Sequence, residues 1–135
     1  MTDDLRALTV WQPHAWAIAV GLKDVENRPW RFPFEDGTTI AIHAGLKVDP
    51  KGLDLRIDVP DDLPAGVIVC VVDVVGCDRY SPSPWARHGA WHWRLANVLR
   101  LDEPVPTRGQ MQLFRLPSDV VTRIRHQMRG IRASP

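Results

Sequence analysis

The segment GVIVCVVDVVGCDR, residues 66–79, restricts how this chain can fold more than any other. Its β-branched residues favour extended backbone, and they do not alternate with polar ones. A strand of that kind is covered on both faces, or it curls round a small barrel. Its apolar run, Val67 to Val75, is interrupted by Asp73 and falls far short of the roughly 20 residues that a membrane-spanning helix needs. The same strand holds both cysteines. Cys70 and Cys77 are seven residues apart, roughly 23 Å in extended chain, whereas a disulfide tolerates about 7 Å between Cα atoms. With no CxxC spacing either, both are predicted to be buried, unreactive thiols.

At 135 residues the chain has room for one domain with a real core, and no repeat or low-complexity segment divides it. Leu8 to Trp11 reads as a short strand. Pro13 suits the first position of a helix, where its missing N–H costs nothing. Ala15, Trp16, Ile18, Ala19 and Val20 make that helix nearly all apolar, hence buried. Gly21 followed by Leu22 fits a Schellman-type stop. Asp24 to Arg31 reads as extended with an edge-like Pro29, and Asp36-Gly37 as a turn. Thr39 to Ala44 alternates as a strand, with Ile40 and Ile42 on one face and His43 on the other.

Gly45 to Pro64 is expected to be loop carrying one short helix, and Ser81 to Trp85 to be loop. Ala90 to Asn97 and Gln112 to Leu116 read as strands. A helix capped by Ser118 closes the chain. At 100° per residue its Val120, Val121, Ile124, Met128 and Ile131 gather on one side. Arg123, Arg125, His126, Arg129 and Arg132 occupy the rest. Parallel βαβ alternation is absent, so the expected class is α+β, a small mixed β-barrel with flanking short helices.

Net charge is +1, but it is unevenly spread. From Arg100 onward seven basic residues face three acidic ones, while the first 99 residues carry ten basic and thirteen acidic. A basic end on a mildly acidic body suits a polyanion partner. The N-terminus, MTDDLRALTV, lacks the basic start and apolar run of a secretory signal. No lipidation motif stands at either end. A cytoplasmic protein without membrane attachment is expected, and its oligomeric state is left open.

Lys23, Glu26 and Arg28 follow the first helix within six residues. In extended chain Glu26 and Arg28 point to the same face, about 7 Å apart, and Lys23 at the turn can fold over that face. Such a group either forms a solvated ion-pair cluster of little energetic weight or walls a polar cleft. In a cleft the cations suit phosphate or carbonyl oxygens, and the carboxylate suits an amine or ring N–H. A desolvated Lys23 would lose pKa and could serve as base or nucleophile. Six tryptophans against one tyrosine and three phenylalanines add stacking surfaces, Trp30 and Trp85 being placed beside prolines in turns. His43, His88 and His92 are acid–base candidates. His88 and His92 have no carboxylate or cysteine close by, so neither a metal nor any other cofactor is predicted. P-loop, GxGxxG, nucleophile-elbow and HExxH motifs are all absent, which argues against triphosphate hydrolysis, dehydrogenase chemistry and zinc proteolysis.

The stretch WQPHAWAIAVGLKDVENRPW resembles the ASCH-domain proteins of the PUA-like superfamily. It carries their Q-P-x-A-W block as Gln12, Pro13, Ala15 and Trp16, and their G-x-K-x-x-E-x-R pattern as Gly21, Lys23, Glu26 and Arg28. TIAIHAG (39–45) is similar to the family's next strand, and WHWRLANVLRLDEPVPTRGQMQLFRLP (91–117) to the C-terminal half of its longer members. The resemblance implies a single PUA-like domain over residues 1–135 with a charged cleft beside the first helix. It also implies RNA binding, with ribonucleases and an amidohydrolase acting on N4-acetylcytidine among relatives. The amidohydrolase pattern uses a lysine, a threonine and a glutamate. Lys23 matches the lysine; the threonine position holds Glu26, and SPSPWARHG (81–89) supplies no glutamate.

Taken together, the expected function is a module that binds RNA, another single-stranded nucleic acid or a modified nucleoside. Lys23, Glu26 and Arg28 would form the cleft, with Trp30, His43 and Trp85 lining or closing it. The alternative is a small hydrolase, a ribonuclease or a nucleoside amidohydrolase, with Lys23 and Glu26 catalytic.

Overall fold

The computed structural model describes residues 4–53 and 57–133, with side chains as far as residue 131. In chain order these form β1 (Arg6–Gln12), α1 (His14–Ala19), β2 (Val25–Arg28), β3 (Thr38–Val48), β4 (Val67–Asp78), β5 (Trp91–Pro106), β6 (Leu113–Arg115) and α2 (Ser118–Ala133). The six strands make one sheet in the order β2-β5-β4-β3-β1-β6. Only β1 and β3 run parallel; the other ladders are antiparallel.

The valine-rich segment is β4, and it lies between β3 and β5 with both faces covered. On one face Val72 and Val74 pack with Leu8, Ile40, Ile42 and Ile18 of α1, extended by Trp93 and Phe32. On the other, Ile68 and Val71 pack with Ala41, Leu101 and Phe114 beneath Val120, Val121, Ile124 and Met128 of α2. Two helices on opposite sides of one sheet explain why this strand has almost no polar alternation. Cys70 is buried in it and Cys77 half-buried, both as free thiols.

The expected barrel is corrected in one respect. β2 and β6 remain edges, and no backbone ladder joins them among the described residues. Bulges in the β3–β4 and β4–β5 pairings add local bend and twist. The curl brings β2 within reach of β1, where Arg28 Nη2 donates to the Thr9 carbonyl at 2.9 Å. A side chain thus bridges the seam that a ladder leaves open.

Several expected boundaries move. β3 runs on to Val48 because β1 continues to pair with it as far as Gln12, and no helix appears in the described part of residues 45–64. β5 continues past Asn97, which takes φ +57° beside an irregular register, through to Pro106. α1 begins after Pro13, which takes the cap position. Ser118 is the first residue of α2, where the Pro117 carbonyl already accepts the Val121 N–H. The exposed face of α2 carries Arg123, His126 and Arg129 as expected; Arg132 lies outside the described side chains. No described helix is long and apolar enough to cross a membrane.

Candidate functional site

α1 is short, and its ends are tied by side chains and backbone together. Gln12, buried at the end of β1, accepts the Trp16 N–H on Oε1 and donates through Nε2 to the Pro64 carbonyl. At the other end Gly21 takes φ +80°, the Leu22 N–H reaches the Ala17 carbonyl, and the Gly21 N–H reaches the Ile18 carbonyl. That is the Schellman pair of bonds that a glycine permits. The Lys23 N–H also donates to the Ala17 carbonyl. The stop therefore turns the chain sharply and carries Lys23 back against α1.

Lys23 and Glu26 are both buried, at 7% and 6% exposure. Glu26 Oε2 accepts from Arg28 at 3.0 Å, and Lys23 Nζ stands 3.7 Å from Glu26 Oε1. Arg28 folds back onto the carboxylate while its Nη2 also reaches Thr9 across the seam. On its α1 side, Lys23 Nζ lies 3.0 Å from His14 Nδ1, and His14 Nε2 lies 2.8 Å from Asp49 Oδ2. Asp49 is held there by its own N–H, bonded to the Gln12 carbonyl, and its Oδ1 accepts the Lys51 N–H. One continuous row of polar groups runs from Asp49 through His14, Lys23, Glu26 and Arg28 to Thr9.

This row floors an open cleft of about 480 Å³, also bordered by Trp11, Asn27, Lys51 and Arg87. Asn27 places Arg87: its Oδ1 accepts the Arg87 N–H and its Nδ2 donates to the Trp85 carbonyl. His92 holds the same loop, accepting the Ser81 N–H on Nδ1 and donating from Nε2 to the Arg87 carbonyl. Around the cleft stand four cationic side chains, Lys23, Arg28, Lys51 and Arg87, against two carboxylates, Glu26 and Asp49. Burial pushes the Lys23 ammonium below its ordinary pKa; Glu26 opposes that shift, and Arg87 and Arg28 add to it. Hydrogen bonds from His14 and from the Lys51 N–H hold the Asp49 carboxyl below its ordinary range.

Of the six residues expected to form or line the cleft, Lys23, Glu26 and Arg28 meet in it, and Trp30, His43 and Trp85 do not border it. Trp30 packs edge-on against Trp93, with ring centroids 5.0 Å apart, and its carbonyl accepts the Trp93 indole N–H. Trp85 contributes its backbone to loop anchoring, while Arg87, two residues on, borders the cleft. His43 is buried between Thr9 and Thr107. The Thr107 carbonyl accepts from Nε2, so Nδ1 is the acceptor facing the Thr9 hydroxyl. Burial lowers its pKa, against the Thr107 bond that raises it. It borders an adjoining, mostly apolar groove of about 580 Å³ with Trp11, Leu46 and Met111. His14, Asp49 and Arg87 were the residues that sequence reasoning missed. His14 lies inside the Q-P-x-A-W block, where it read only as a spacer; nothing local marks Asp49.

Comparison with known proteins agrees with this architecture. The ASCH domain family model matches residues 8–105, and the chain belongs to that family, a PUA-like group associated with RNA binding. Among solved structures, the crystal structure of ASCH from Zymomonas mobilis shares the fold, with a TM-score of 0.61 at 14% identity. That match covers 93% of this chain and 96% of the other. No curated protein matches the chain.

Proposed function

We propose that this protein binds RNA or another single-stranded nucleic acid by taking a nucleotide into the cleft beside α1. The observation that carries this reading is the four-to-two excess of cations around an open cleft of about 480 Å³, a size typical of small-molecule sites. Lys23, Arg28 and Arg87 meet phosphate or base oxygens. Glu26 holds Lys23 and Arg28 in place, and its Oε1 keeps a lone pair for a base amino group. The exposed arginines of α2 add a sequence-independent attraction. Family membership supports the same class of ligand.

The burial of Lys23 favours a second reading, in which the cleft is a small hydrolase site acting on RNA or on an acylated nucleoside. Titration of short single-stranded RNA, on a gel that resolves shifted from cleaved RNA, tests both. Binding without cleavage, weakened in Lys23→Ala, is the expected result. Replacing Arg87 with alanine should also reduce the salt slope of log K by about 0.7. Cleavage abolished in Lys23→Ala makes the protein an enzyme, and failure to bind at any salt overturns the nucleic-acid reading.

A further inference from the structure

Simple RNA binding does not require the base of the cleft to be built as it is. The Lys23 ammonium faces His14 Nδ1 at 3.0 Å, and the opposite ring nitrogen faces Asp49 Oδ2 at 2.8 Å. An ammonium has only hydrogens to offer, so Nδ1 carries the lone pair and Nε2–H donates to Asp49. The same two contacts also serve after the proton has crossed. The lysine is then a neutral amine accepting from Nδ1–H, and the ring is an imidazolium held by a carboxylate. A carboxylate orienting a histidine that takes a proton from a third group is the arrangement of hydrolase triads, here with an amine in the third place and the ring nitrogens exchanged.

We propose that Asp49, His14 and Lys23 form a proton relay, in which His14 Nδ1 takes the proton of Lys23 Nζ and Asp49 holds the resulting imidazolium. His14 and Asp49 are positioning residues; Lys23 is the group that meets the ligand. The proposal rests on the cleft being the ligand site and adds a base to it. A neutral amine flanked by Arg28 and Arg87 suits taking a proton from a water or hydroxyl lying beside a phosphate or carbonyl group.

The charged surroundings agree. Lys23 is faced by Glu26 and Arg28 from β2, by Arg87 from the loop before β5, and by His14 from α1. His14 is faced by Asp49, with Lys51 beyond it on the same loop. Burial and the two arginines favour the neutral amine, Glu26 alone opposes it, and a ligand that engages Glu26 tips the balance toward transfer.

The test needs no ligand, because it reads the lysine itself. Trace acetylation with acetic anhydride between pH 6 and 11, followed by mass spectrometry, gives the reactivity of each of the three lysines, Lys23, Lys47 and Lys51. An isolated amine loses reactivity tenfold per pH unit below its pKa. In the wild type, Lys23 should instead level off at the low-pH end of this range, once the fully deprotonated pair has fallen below the transferred form, whose fraction is independent of pH while the pair holds one proton. His14→Gln can accept a hydrogen bond but cannot take the proton, so the plateau should disappear. Asp49→Asn should lower the plateau about tenfold by removing the carboxylate from the imidazolium.

Identical Lys23 profiles in the wild type and His14→Gln, with Lys47 and Lys51 unchanged, would overturn the relay. If His14→Gln does not fold, ¹⁵N NMR of the wild-type imidazole decides, since a neutral ring protonated on Nδ1 contradicts the proposal. Loss of RNA binding with the plateau intact would sink the nucleic-acid reading alone. RNA binding with no His14-dependent plateau would sink the relay alone.

Discussion

Glu26→Gln removes one charge from the buried centre of the cleft and keeps the side chain's shape. Glu26 and Lys23 are 6% and 7% exposed, and Arg28 donates to Glu26 at 3.0 Å. Deleting one partner of a buried ion pair costs about 3–5 kcal/mol, because the other charge is left unpaired. Three features bring this case to or below the bottom of that range. The new amide oxygen still accepts from Arg28, the Arg28 side chain is 22% exposed and so partly hydrated, and Lys23 can shed its proton. The expected loss at pH 7 is therefore about 2–3 kcal/mol. For a domain of this size each kcal/mol moves Tm by roughly 3–5 °C, so the variant should melt about 6–15 °C lower.

The pH dependence supplies a sign. Glu26 is the largest influence holding the Lys23 pKa up, so the substitution lowers it further below 10.5. Between that lowered value and about 10.5 the unfolded chain binds more protons than the folded one, and stability rises with pH. The deficit relative to the wild type should shrink between pH 7 and about pH 10, as the charge that causes it is lost. Thermal denaturation of both proteins by circular dichroism at pH 7 and 9.5 measures this. Equal melting temperatures, or a deficit that widens with pH, would refute the account of Lys23 and Glu26 as a buried pair.

Other consequences concern the framework around the cleft. A Cβ on Gly109 would lie 2.7 Å from His43 Cε1 and 3.0 Å from Thr9 Oγ1, both pinned by hydrogen bonds, so Gly109→Ala should cost about 1–3 kcal/mol in urea denaturation. Gly76→Ala meets only the guanidinium end of exposed Arg94, which can swing aside, and should cost under about 1 kcal/mol. Because the His43 pKa is pushed below 6.5, the unfolded chain takes up that proton first. Its contribution is whole above about pH 6.5 and falls away as pH drops through that value toward the lowered one. His43→Gln should therefore flatten the loss of stability between pH 7 and 5, and an unchanged slope would count against its neutral, buried state. Burial pushes the Cys70 thiol up to about 12, so iodoacetamide at pH 8 should modify Cys77 first; equal rates in the native protein would contradict that.

Local features were legible where the physics is local. The Gly21-Leu22 stop, the apolar α1, the amphipathic α2 and the central β4 each follow from residues adjacent in the chain, through backbone freedom, periodicity and β-branching. Lys23, Glu26 and Arg28 could be picked out because one turn and one short strand hold all three. His14 and Asp49 could not. They stand 35 residues apart, and a β1–β3 ladder followed by one backbone bond from Asp49 to Gln12 brings them together. The aromatic candidates lie outside the cleft lining for a related reason. A tryptophan beside a proline suits a solvent-facing turn as well as a core edge, and only the packing of Trp93 and Phe32 drew Trp30 inward. Closure of the sheet was likewise undecidable from strand patterns, which specify which faces are apolar and not whether two edges meet. Sequence determined the elements, their buried faces and the charged triplet. Tertiary structure decided that Lys23 is buried, which histidine faces it, and that Arg28 spans the open seam, because desolvation and hydrogen-bond geometry arise only between segments distant in the chain.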